Sequence, residues 1–226
     1  MLSGLIAADC ALTKVMQCKQ LDRSPGLGQL LKAAPFLSQK DLHMLNQSHL
    51  RAWQQKAVDI LLNNPYQLLG AQPGSGKTIT TLTALATLNL RTLLVAPSII
   101  LNSVWQQESL AWSHTQDLSF DLAHKLSGSD REQLWFEGTG DIVTCTPDTL
   151  AKFLDAVHRR RVIPVWKIVV DESQFFKNAT ASRTAALHAL AEHVPTWLLS
   201  GTPTPNGTID CWSPGRILSQ RGGFWQ

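Results

Sequence analysis

The segment Ala71-Gln72-Pro73-Gly74-Ser75-Gly76-Lys77-Thr78 sets two glycines, a lysine and a hydroxyl residue in a row. An apolar run from Tyr66 to Gly70 precedes it, and a helix-compatible stretch from Lys77 to Leu88 follows. Strand, glycine-rich loop and helix in that order are what a phosphate-binding loop requires. Gly74 and Gly76 let successive backbone N–H groups turn inward on a phosphate, and the helix N-terminus adds positive partial charge. Gln72, Pro73 and Ser75 complete the cradle. In such a loop Lys77 reaches the β- and γ-phosphates and the Thr78 hydroxyl ligates Mg²⁺. The first position of the pattern is Ala71 instead of glycine, so the match is to an Ala-first variant.

Ile168-Val169-Val170-Asp171-Glu172 is a short apolar run that ends in two acids. It reads as a buried parallel strand delivering carboxylates at its C-terminal end. Taken alone, an acidic pair after a strand is most often a solvated turn. Downstream of a phosphate loop it is the complement of one. Asp171 would hold magnesium through water, and Glu172 would orient and polarise an attacking water for phosphoryl transfer. Together the two segments predict an ATP site with Mg²⁺ as cofactor.

Parts so far apart in sequence need a scaffold that brings them to one edge. From Leu50 onward, strand-like and helix-like segments alternate. Strands are predicted at Arg91–Ala96, Leu118–Leu122, Asp141–Cys145, Trp166–Val170 and Thr196–Leu199. Helices are predicted at Ile99–Trp112, Asp130–Phe136 with Ser129 as its cap, Asp148 to about Arg159, and Thr184–Glu192. Such alternation predicts an α/β fold, a mostly parallel sheet with helices on both faces. Ligands on these sheets bind at the carboxyl ends of the strands. The phosphate loop, Asp171-Glu172 and the Pro97, Thr146-Pro147 and Thr202-Pro203 turns all fall there. Residues 1–48 read as an N-terminal extension, with Ser38 capping a short helix to about Leu45, and 49–226 as the lobe.

With the phosphate loop, the Asp171 to Gln174 box and Ser200-Gly201-Thr202-Pro203 in this order, the chain resembles the first, RecA-like motor lobe of a superfamily-two helicase. More narrowly it is similar to the Swi/Snf-type DNA translocases, including compact forms from phage genomes. The resemblance runs from about Leu50 to the C-terminus. Leu50-Arg51-Ala52-Trp53-Gln54 stands where that family has an upstream glutamine motif. An amide at Gln54 can pair with the adenine edge as donor and acceptor, which implies ATP over GTP; standing alone, Gln54 would read as an exposed helix residue. Leu94-Val95-Ala96-Pro97-Ser98, with Trp105 and Glu108 beyond, and Thr144-Cys145-Thr146-Pro147 look like two further family motifs. By resemblance, Pro97, Ser98, Thr146 and Pro147 touch the sugar-phosphate backbone of DNA without reading sequence. Each turn also reads as an ordinary strand-to-helix connection. Ser200 and Thr202 match the element that couples the ATP site to the DNA track. Gln174 stands where relatives often carry His, and it can bridge the acidic box to Ser200 or Thr202 without titrating.

Complete motors of this type close ATP between two lobes, and the second supplies arginines worth roughly 10³ to 10⁵ in rate. About two dozen residues follow Pro203, too few for a second lobe. Arg216 and Arg221 lie among them in no finger-like setting. The expectation is a fragment, a truncated gene product or a one-lobed protein with its own purpose, in any case a lobe with little activity alone that a second lobe in trans could complete. The alternative is a non-enzymatic nucleotide- or DNA-binding module that docks on a partner.

The remaining features bound these readings. With 226 residues, 44% of them hydrophobic, the chain can bury one α/β core. A net charge of +3 permits a nucleic-acid partner without demanding one. No apolar run approaches the roughly 18 residues of a membrane span. Met1 to Leu12 lacks a basic start and carries Asp9, so it is a poor secretion signal. Cys10, Cys18, Cys145 and Cys211 form no C-x-x-C pair, which predicts reduced thiols and a cytoplasmic or nucleoid-associated protein. His158-Arg159-Arg160-Arg161 ends a predicted helix, where cations suit the dipole, and reads as a solvated face. Trp166 and Trp197 start predicted strands and read as core residues.

Overall fold

A computed structural model describes residues 45–201 and 212–219. Six strands form one sheet: β1 (Gln67–Gly70), β2 (Thr92–Val95), β3 (Phe120–Asp121), β4 (Ile142–Cys145), β5 (Lys167–Val170) and β6 (Thr196–Ser200). Their order across the sheet is β1-β6-β5-β2-β4-β3, and every pairing is parallel. The α/β expectation holds. Cross-strand registers set Gly70 beside Ser200, and Val95 beside both Cys145 and Val170. The loops that follow these residues therefore leave the sheet at one common edge.

Period-two alternation divides the strand side chains between two cores. Leu93, Val95, Val143, Cys145, Ile168, Val170 and Leu198 face one, and Leu94, Ile142, Val169, Trp197 and Leu199 face the other. The helices that cover them are α1 (Ala52–Asn63), α2 (Lys77–Leu88), α3 (Ser98–Ser103), α4 (Trp105–Leu110), α5 (Gly128–Glu137), α6 (Leu150–Arg160), α7 (Ser182–Ala191) and α8 (Trp212–Leu218). On the first face lie Trp135 of α5, Phe153 of α6, Leu187 of α7 and Ile217 of α8. On the second lie Leu61 of α1, Leu82 of α2, Leu101 of α3 and Trp105 of α4. Helix α1 buries Gln54, Ala57, Val58 and Leu61, the three-and-four spacing of an amphipathic helix. Helix α2 is buried over Ile79 to Leu85 despite its threonines. Thr80, Thr81 and Thr83 donate their hydroxyls to the carbonyls four residues back, so none of these donors is left bare.

Several boundaries differ from expectation for local reasons. The single helix predicted over Ile99–Trp112 is two, α3 and α4, broken at Val104. Ser103 donates its hydroxyl to the Ile99 carbonyl at 2.6 Å, a back-bond that bends helices, and the break turns Trp105 fully inward. Strand β3 keeps only Phe120–Asp121 of the predicted Leu118–Leu122. Helix α5 begins at Gly128, ahead of the predicted Ser129 cap. Trp197 is buried as expected, but Trp166 is 43% exposed because it stands just before β5, outside the pleat. Arg159 and Arg160 pair with Glu132 of α5, and Arg160 also with Glu137, so that part of the basic run is a surface ion-pair network. The predicted helix from Ser38, nearly all of the 1–48 extension, and Cys10, Cys18 and Cys211 lie outside the described residues.

Candidate functional site

The loop from Ala71 to Gly76 connects β1 to α2, as its sequence requires. Gly74 and Gly76 adopt φ of +72° and +90°, conformations that disfavour any side chain. At Gly76 there is a second demand, since a Cβ there would overlap Gln54 Nε2. Lys77 folds its ammonium across the loop mouth, donating to Ala71 O at 2.7 Å and Gln72 O at 3.2 Å. Ser75 Oγ is buried in the loop without a protein partner. No side chain caps the start of α2. Open N–H groups, an unpartnered hydroxyl and a nearby ammonium are a donor set suited to a phosphate and unsuited to a cation.

Gln54 lies under this loop and is 6% exposed. Its oxygen accepts from the Arg51 N–H at 2.7 Å, and Nε2 donates to Ser75 O at 3.3 Å. The amide thereby braces the loop and keeps one lone pair and one N–H in reserve. Thr78 is half-buried in the first turn of α2.

Asp171 leaves the end of β5, its N–H bonded to Val95 O at 2.8 Å. Only 7% of the residue is exposed. Oδ2 accepts from the Trp105 indole at 3.0 Å, and Oδ1 from the Glu172 N–H at 2.9 Å. Burial raises its pKa above the ordinary carboxylate value, while the Trp105 and Glu172 donors and the charge of Lys77 act in the opposite sense. A carboxylate in this state gains from a nearby cation, and its two engaged oxygens suit contact through water. The chemistry of these residues is compatible with magnesium, which Thr78 and Asp171 would hold.

Glu172 sits at φ 54°, ψ 57°, left-handed backbone that a non-glycine residue seldom takes. Such strain concentrates at functional positions. Its Oε2 accepts from Gln174 Nε2 at 2.8 Å, and Gln174 Oε1 accepts from Ser200 Oγ at 3.2 Å. A hydrogen-bonded line thus runs from the acidic box to the end of β6. There Ser200 O accepts from the Ala71 N–H at 3.1 Å, and a Cβ at Gly201 would press on the Pro73 ring. Gln174 and Ser200 are brought together as their sequence positions suggested. Thr202 lies outside the described residues.

The other candidate turns stand further along the same edge. Pro97 and Ser98 follow β2 and open α3, with Ser98 exposed. Thr146 and Pro147 follow β4; the Thr146 hydroxyl lies 2.9 Å from Thr149 Oγ1, and Pro147 is buried. Both turns follow strands that lie on the side of β5 away from β6 and β1, so the phosphate loop and these turns occupy separate halves of one edge. The sequence reading missed Trp105 as the partner of Asp171. No pattern in the chain ties an indole to a carboxylate 66 residues away.

Residues 36–217 match the SNF2-related domain, and the chain belongs to that family. Putative protein p41 of Acyrthosiphon pisum secondary endosymbiont phage 1 is 32% identical over 184 residues, which cover 75% of this chain and 39% of that protein. Among solved structures, the Sulfolobus solfataricus SWI2/SNF2 ATPase core in complex with dsDNA is similar, with a TM-score of 0.60 and 23% identity. That likeness covers 76% of this chain and 36% of the Sulfolobus chain, and it establishes the fold. The chain spans well under half the length of either relative.

Proposed function

We propose that this chain is the ATP-binding N-terminal lobe of a DNA-dependent ATPase and translocase, incomplete as a motor on its own. The observation that carries this is the Glu172–Gln174–Ser200 line, which joins the acidic box to the end of β6, the strand that pairs with β1 where the phosphate loop begins. The loop N–H groups and Lys77 bind the β- and γ-phosphates of ATP, and Gln54 offers its reserved amide valences to adenine. Thr78 and Asp171 hold Mg²⁺, which when bound offsets charge on the phosphates. Glu172 polarises the attacking water, held at Oε2 by Gln174, so a change at Glu172 is felt at Ser200. Pro97, Ser98 and Thr146 contact DNA backbone, as befits a relative of a core solved with dsDNA, while Pro147, buried in the fold, shapes its turn without the DNA contact expected of it.

A non-enzymatic module that docks on a partner is the second reading. Steady-state ATP hydrolysis with and without duplex DNA separates the two. DNA-stimulated turnover, from the chain alone or on adding a second lobe, supports the motor. Mg·ATP binding with no turnover under either condition supports the module. Among the described residues no helix is long and apolar enough to cross a membrane, and the localisation we propose is cytoplasmic or nucleoid-associated.

A further inference from the structure

His124 lies in the single helical turn after β3 and bonds to side chains on two other elements. Its Nδ1 is 2.8 Å from Thr144 Oγ1 on β4, and its Nε2 is 3.0 Å from Asn102 Oδ1 on α3. The roles can be assigned. Thr144 Oγ1 donates its proton to Asp121 O at 3.0 Å, so it must accept from the ring, and the His124 backbone N–H reaches it too. Nδ1 therefore carries a proton. A charged ring then donates from Nε2 to the Asn102 oxygen; a neutral ring accepts from the Asn102 amide once that amide turns over. Partial burial, and next the charge of Lys125, hold the His124 pKa below its ordinary value, which favours the neutral form. The tie survives in both forms.

Thr144 is two residues before Thr146, and Asn102 is one helical turn after Ser98. Helix α3 has six residues, too few to hold itself, and only Leu101 of it is buried. We propose that His124 is a positioning residue that fixes α3 to the end of β4 and so sets the spacing between the Pro97-Ser98 and Thr146-Pro147 turns on the DNA backbone. This rests on the assignment of those turns to DNA.

The two halves of the imidazole can be removed separately. His124→Asn keeps a short amide donor for Thr144 and loses the reach to Asn102, whereas His124→Gln reaches Asn102 and gives up the Thr144 bond. Binding of a fluorescent duplex is measured by anisotropy at low salt, with urea unfolding of each variant alongside. His124→Asn should keep its unfolding midpoint and lose about fivefold in DNA affinity, as should Asn102→Ala, with no further loss in the double variant. Parental affinity in His124→Asn, or additive losses in the double variant, would overturn the positioning role. Ser98→Ala with Thr146→Ala is the control for the underlying assignment. Unchanged affinity there refutes the DNA turns themselves, and lost affinity there with parental affinity in His124→Asn refutes only the clamp.

Discussion

At the scale of single residues, the roles proposed for Lys77 and Glu172 separate binding from chemistry. Lys77 is a point charge laid across a loop whose shape comes from Gly74 and Gly76, since its own bonds end on Ala71 O and Gln72 O. Lys77→Ala should therefore abolish detectable ATP binding in a calorimetric titration while the thermal unfolding transition stays cooperative. Unchanged affinity would sink the site. Glu172→Gln preserves side-chain shape and leaves Asp171 and Thr78 in place. It should bind Mg·ATP within about twofold of the parent yet lose whatever hydrolysis the parent has, a loss on the order of 10² or more. Parental turnover in this variant would remove Glu172 from its role. The new amide meets Gln174 Nε2 with either its oxygen or its nitrogen, so a broken link to Ser200 would show as a weakened response to DNA, separable from the lost turnover.

At the scale of elements, the strands were legible where buried on both faces and the helices where one face was apolar. Thr92–Val95, Ile142–Cys145 and Lys167–Val170 are buried at every position, and a short apolar run marked each of them. The break at Val104 was not legible, because Ser103 reads equally well as a helix residue until its hydroxyl takes the Ile99 carbonyl. Lys167 was also missed: in the sequence it is a charge at the start of a strand. In the fold it is 3% exposed, donates to Pro65 O at 3.0 Å and lies 3.7 Å from the centre of the Trp197 ring. Burial lowers its pKa from 10.5 to about 7. The folded value is the lower one, so between these limits the unfolded chain holds a proton that the native state lacks. Stability then rises with pH through that window and is lost as pH falls toward 7. In urea titrations from about pH 7.5 to 9.5 the parent should gain relative to Lys167→Met, by up to about 1.4 kcal/mol per pH unit and less where the Trp197 contact holds the charge. Parallel curves for the two proteins would show that Lys167 stays charged in the core.

At the scale of the molecule, the proposed function makes the candidate site one wall of a cleft. The phosphate loop, Glu172 and Ser200 all stand at one sheet edge, and Lys77 is the cation that lies across the loop. A site of this kind leaves the γ-phosphate facing water, and fixed charges in a closed site stabilise a transition state far better than solvent does. The chain alone should therefore bind Mg·ATP weakly and turn it over very slowly. It should also grip DNA weakly, with an affinity that falls as salt rises, because the turns proposed to meet DNA, after β2 and β4, would cover only part of a backbone track. Adding a separately expressed second lobe from a related motor should raise turnover, and DNA should raise it further if the cleft assembles in trans. Both quantities are read in one coupled ATPase assay, run with each component omitted in turn. Fast DNA-stimulated hydrolysis by the purified monomer would overturn this picture. It would require an arginine from the chain itself, with Arg216 on α8 and Arg221 beyond it as the residues to test, or one from a second copy, which a rate rising with the square of protein concentration would reveal.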